Sequence, residues 1–145
     1  MIIETERLLL RPFQEGDEED VFEYLNEPAV NCFASMKLHS LEEAREEVLK
    51  RSSETEYYFA IVLKESGKVI GEIDAYPEPA DVHGADSEMD TFSPCWMLNR
   101  AYHGRGMHMR QPMLSLIIFS RIKEQGEYMP IQRIITRPAS IFARN

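Results

Sequence analysis

The 145-residue sequence predicts an α+β domain with the element order β-α-α-β-β-β-α-β. Two observations carry this expectation. Short apolar runs of strand length stand on both sides of two stretches with helical spacing, and the strands after residue 57 follow one another across hairpin-like and polar connections. Length and a 43% hydrophobic content fit one packed domain.

Each element has a local cause. "ERLLLRPF", residues 6–13, is a short apolar run ended by Pro12, and reads as a strand. In "GDEEDVFEYLNE", Asp17 suits an N-cap and Val21, Phe22 and Leu25 recur at helical spacing, so a short helix ends near Pro28. Ser40 and Glu43 form a capping box before "LEEAREEVLKR", where Leu41, Ala44, Val48 and Leu49 make an apolar face. The connecting "PAVNCFASMKLH" is richer in apolar residues than a linker needs; it either packs on the core or lines a pocket.

"YYFAIVLK" and "VIGEIDAYPEP" flank the turn "ESGK" and predict a hairpin. Regular alternation puts Ile70, Glu72, Asp74 and Tyr76 on one face of the second strand and Val69, Gly71, Ile73 and Ala75 on the other. A polar loop, "ADVHGADSEMD", leads to "TFSPCWML", whose Pro94 predicts a bulge or a local parting of strands.

Gly104 and Gly106 follow that strand. A helix starting there would let the amides of Gly104, Arg105, Gly106 and Met107 converge on one anion, although a plain tight turn carries the same glycines. The net charge of −9 argues against a nucleic-acid surface. No membrane segment is expected, and the charged residues in "MIIETERLLLRPF" disfavour a signal peptide, so a cytoplasmic setting is expected. Cys32 and Cys95 lie in no metal-type spacing and are expected as reduced thiols; His39, His83 and His108 show no ligand spacing either, so no metal is expected.

"TERLLLRPF", "KVIGEI" and "CWMLNRAYHGRG" resemble the GNAT superfamily of acyl-CoA N-acyltransferases, in the branch similar to ribosomal-protein alanine acetyltransferases. The resemblance covers residues 1–106. It implies an α/β/α sandwich around a mixed, mostly antiparallel sheet, with acetyl-CoA as cosubstrate and an amine acceptor, either a protein N-terminus or a small amine. It implies that backbone groups of Cys95, Trp96, Met97, Leu98 and Asn99 bind pantetheine. The amides of Gly104, Arg105, Gly106 and Met107, with His103 lining the loop, would bind the pyrophosphate. Ala101 departs from the Gln or Arg usual at the first position of the motif. Glu72 is the candidate base for direct attack of the amine, with Asp74 and Asp90 behind it.

After Gly106 the family pattern stops. The branch continues with a run like "Y-A-x-E-A", whereas this chain reads "MHMRQP". Acids also thin out: from residue 100 onward only Glu124 and Glu127 oppose a series of arginines. Because methionine has the single codon ATG, a frame that begins a codon at that final G forces alanine across Met107-His108 and again across Met129-Pro130. With compatible codons, that frame reads "YAYEAAHAFFDYLF" over residues 107–120. The expectation is a one-nucleotide slip near the Gly106 codon, leaving residues 107–145 out of frame; sequencing the gene across that codon checks it. The displaced tail still has a helical pattern from Pro112 and a strand pattern in "PIQRIITR". The domain is then expected to lack the usual last helix and two strands and to have impaired or lost activity. At most it would bind coenzyme A, or self-associate through an exposed sheet edge.

Overall fold

A computed structural model of the chain describes residues 2–29, 31–77 and 92–106. The strands are β1 (Ile3–Glu4), β2 (Leu8–Arg11), β3 (Tyr58–Leu63), β4 (Val69–Pro77) and β5 (Phe92–Leu98); the helices are α1 (Glu18–Leu25) and α2 (Leu41–Ser52). The strands form one sheet in the order β1-β2-β3-β4-β5, every described pair being antiparallel. The single N-terminal strand expected over 6–13 is a small hairpin, with Ile3 opposite Leu10. A 3₁₀-helix, Asn31–Met36, occupies part of the connection between α1 and α2. Leu38 is buried there and Met36 packs against the core.

Both helix starts are held, by different means. Ser40 accepts the Glu43 N–H at 3.1 Å, which satisfies an amide that a helix leaves open, and Glu43 accepts the N–H of His39, just before the cap, at 2.8 Å. Asp17 occupies the N-cap position of α1 but makes no side-chain cap. Its carboxylate instead takes both arms of Arg11, at 2.7 and 2.8 Å, and the Gln14 N–H at 2.9 Å. The bidentate arginine competes successfully because two bonds from a cation outweigh one from an amide to the same carboxylate.

Helices α1 and α2 pack on one face of the sheet around Val21, Tyr24, Leu25, Ala44, Val48 and Val62. The opposite face is buried around Leu8, Leu10, Phe59, Ile61, Ile70 and Ile73. The second helical layer of the expected sandwich, the strand expected over "PIQRIITR" and residues 107–145 in general lie outside the described residues. In α2, Leu49 is 74% exposed, against the expectation that it joined the apolar face, and Arg51 is the buried residue instead.

The regular alternation expected along β4 breaks at a bulge. Ile61 stands opposite Gly71 but Val62 opposite Val69, so Ile70 is an extra residue. Val69 is thereby placed with the helix-side core and Ile70 with Ile73 on the other side. Glu72 and Asp74 stay on the helix side. The bulge expected at Pro94 is absent: β4 and β5 run in continuous register from Gly71 opposite Leu98 to Pro77 opposite Phe92.

Candidate functional site

Strand β5 presents an outward peptide edge that no described strand pairs with. The Asn99 N–H donates to the Ile70 carbonyl at 2.7 Å, and antiparallel pairing alternates from there. Residues 95 and 97 therefore bond to β4, while Trp96 and Leu98 direct their N–H and C=O groups away from it. Pro94 falls in the same outward row, where its missing N–H costs the β4 ladder nothing. Among the described residues no strand pairs with this edge. An extended ligand bearing amides can bond to it as an added strand would.

The edge runs into a short 3₁₀-helix, Arg100–Tyr102, and the glycine loop. Asn99, 5% exposed, fixes the junction. Its side chain accepts the Ala101 N–H at 2.9 Å and donates to Glu23 of α1 at 2.8 Å. Glu23 also takes Lys68 at 2.6 Å, and the hydrogen bonds from Lys68 and Asn99 hold its carboxyl below the usual range. A ring nitrogen of His103 lies 3.0 Å from the Leu98 carbonyl, so this residue folds back on the strand end. Gly104 and Gly106 have φ of 70° and 66°, a region costly for other residues. Their N–H groups have no acceptor among the described residues, whereas the turn over His103 and Gly104 directs the Arg105 N–H back toward the preceding 3₁₀ turn. Two uncommitted glycine amides on an exposed loop are the kind of donors an anion takes.

The residues expected to bind a coenzyme are thus adjacent, with unequal exposure. Met97 is buried, Cys95 and Leu98 half-buried, and Trp96 36% exposed. His103, Gly104, Arg105 and Gly106 are exposed; Met107 lies outside the described residues, as do Asp90, His83 and His108.

Between β3, β4 and the two helices lies a buried polar cluster. Glu72 is 1% exposed and accepts from Tyr24 at 2.8 Å, from Tyr58 at 2.6 Å and from Arg51. Arg51, 2% exposed, also donates to Glu47 at 2.9 Å and lies over the rings of Tyr58 and Phe13. One guanidinium nitrogen, Nη2, is buried with no partner among the described residues. Burial and the Glu72 charge push both tyrosine hydroxyls above their ordinary range, which keeps them donors. Arg51 could have been found in the sequence: Ala44, Val48 and Arg51 share the inward stripe of α2, so a cation on that stripe required an inward anion.

Asp74 differs from its neighbour. It is half-buried and has no hydrogen-bond donor among the described residues. Burial first, then the Glu72 charge, push its carboxyl up to about 6 from 3.8. The folded chain therefore holds a proton that the unfolded chain has lost between those values. Stability falls as pH rises from about 4 through 6 and stays lower above. Two pH units correspond to about 3 kcal/mol, and solvent screening at a partly open site reduces this to about 1 kcal/mol. Asp74→Asn is expected to stabilise the chain by that amount at pH 8 and to flatten the pH 4 to 6 slope, read by urea unfolding.

Among the described residues no His, Cys, Asp and Glu group is arranged to hold a metal, and no helix is long and apolar enough to cross a membrane. A family model described as an acetyltransferase (GNAT) domain matches residues 7–113. No curated protein matches at a significant level. Among solved structures, a GNAT-family acetyltransferase from Bacillus anthracis aligns with a TM-score of 0.65 at 23% identity, over 87% of this chain and 69% of that one. A protein described as a ribosomal-protein-serine acetyltransferase from Vibrio cholerae aligns at 0.59 and 16% identity, over 85% and 68%. A ribosomal-protein-S5-alanine acetyltransferase from Vibrio fischeri aligns at 0.55 and 18% identity, over 86% and 69%. At such identities the likeness is one of fold.

Proposed function

Because the chain belongs to the GNAT acetyltransferase family, we propose that it binds acetyl-CoA along β5 and the 103–106 loop, and that transfer to an amine is impaired. The observation that carries this is the outward peptide edge at Trp96 and the Leu98 N–H, continuous with the exposed loop amides of Gly104 and Gly106. The edge matches the amides of pantetheine and the loop matches a pyrophosphate. The pantetheine then runs from the loop toward Cys95, whose register partner is Asp74.

In the reaction a neutral amine attacks the thioester carbonyl and forms the amide C–N bond, the C–S bond breaks with coenzyme A leaving as the thiolate, and the nitrogen gives up one proton to a base. Glu72 is closed off by three donors, so Asp74 is the better placed of the two to take that proton. Its carboxyl, raised to about 6, is deprotonated at neutral pH yet close enough to it to accept a proton well. Glu72 then acts indirectly, its charge raising Asp74.

Impairment is read from the out-of-frame reading of residues 107–145, of which the family model matches only the first seven. A cytoplasmic setting and self-association at a sheet edge go with it. The acceptor is a primary amine, a protein N-terminus or a small molecule.

Isothermal calorimetry with acetyl-CoA, followed by an assay on amine panels, tests the proposal. The expected result is binding with low or absent turnover. Absence of binding overturns it, and efficient turnover overturns the impairment.

A further inference from the structure

Arg7 immediately precedes β2 and is exposed, yet it is tied to the far end of the sheet. Its Nη1 donates to the Arg105 carbonyl at 2.9 Å. The same nitrogen is the atom nearest the position a Cβ on Gly106 would take, at 3.8 Å. The guanidinium therefore lies against the backbone of residues 105–106. Its own backbone is anchored, since the Arg7 carbonyl accepts the Lys64 N–H at 3.0 Å.

An arginine has five N–H donors in a rigid fork. The Arg105 carbonyl uses one, and the rest have no other partner among the described residues. Arg105 itself lies with its guanidinium over the Tyr102 ring, 5.5 Å from the centroid. Arg7 is therefore the cation fixed against the loop backbone. Its charge matters more than usual here, because a body of net charge −9 repels a polyphosphate ligand unless local cations oppose that field.

We propose that Arg7 is a binding residue for a diphosphate ester at the glycine loop. One arm of its fork sets the 105–106 backbone, and the remaining donors meet the phosphate oxygens. The inference rests on the coenzyme reading of that loop.

The test uses the full chain, with CoA as the probe, in calorimetric titrations at several salt concentrations. Arg7→Ala is expected to weaken CoA binding about tenfold at low salt and to flatten the dependence of affinity on salt. Arg7→Lys, which keeps the charge and loses the fork, is expected to retain most of the salt dependence with reduced affinity. Arg45→Ala, removing an exposed cation paired with Glu42 on α2, is expected to change neither. Unchanged affinity in Arg7→Ala overturns the proposal, as does weaker binding with an unchanged salt dependence, which would mark a merely structural role. A wild-type chain that binds no CoA overturns the coenzyme reading itself, before any variant is compared.

Discussion

Glu72→Leu is expected to lower the unfolding free energy by about 3–5 kcal/mol, the cost of leaving a buried charge without its partner. The substitution is close in size, so packing is not what fails. Arg51 is 2% exposed and lies between Glu72, Glu47 and two aromatic rings. Without Glu72 its charge has, among the described residues, only the partly exposed Glu47 to oppose it, and its Nη2 has no partner among them. Tyr24 and Tyr58 also lose their acceptor, and a buried hydroxyl left unpaired costs about 1–3 kcal/mol.

The double variant Arg51→Met, Glu72→Leu removes both charges together and is expected to recover more than half of that loss. Urea midpoints for the two single variants and the double decide it. Additive losses would show that the pair is not coupled. Glu72→Gln keeps the shape, removes the charge, and is expected to fall between. It also removes the second cause of the high Asp74 carboxyl, so the pH at which Asp74 titrates should move down.

Local signals in the sequence were reliable where a single segment decides the outcome. The capping box at Ser40 and Glu43 forms as read, apart from Glu43 reaching to His39, because both partners lie within one turn of α2. The hairpin of β3 and β4 follows from its apolar runs and short turn. The reading failed where a distant segment decides. The side on which Val69 and Ile70 fall depends on how β4 pairs with β3, and one extra residue reverses them. Asp17 was a sound N-cap candidate until Arg11, six residues away, took its carboxylate. The glycine loop was legible from its own residues. Its tie to Arg7 was not, since 98 residues separate the partners.

Gly71 joins the bulge to the candidate site, and Gly71→Ala is expected to damage both. A Cβ there would stand 2.1 Å from the Met97 carbonyl oxygen, 2.9 Å from the Leu98 Cα and 3.0 Å from the Leu98 side chain. The first two obstacles are backbone and cannot rotate away, so β5 must move off β4 by an ångström or more. A cost of at least about 2–3 kcal/mol is expected, at the upper end for overpacking. Leu98→Ala removes only the side-chain contact and should rescue little. The displacement falls beside the Asn99 to Ile70 hydrogen bond, and Asn99 holds both the 3₁₀ turn and the link to Glu23. CoA affinity should therefore fall more than partial unfolding explains, measured by calorimetry at a temperature where the variant remains folded. If Gly71→Ala unfolds and binds like the parent, then β5 does not approach β4 this closely, and the glycine is only a consequence of the bulge.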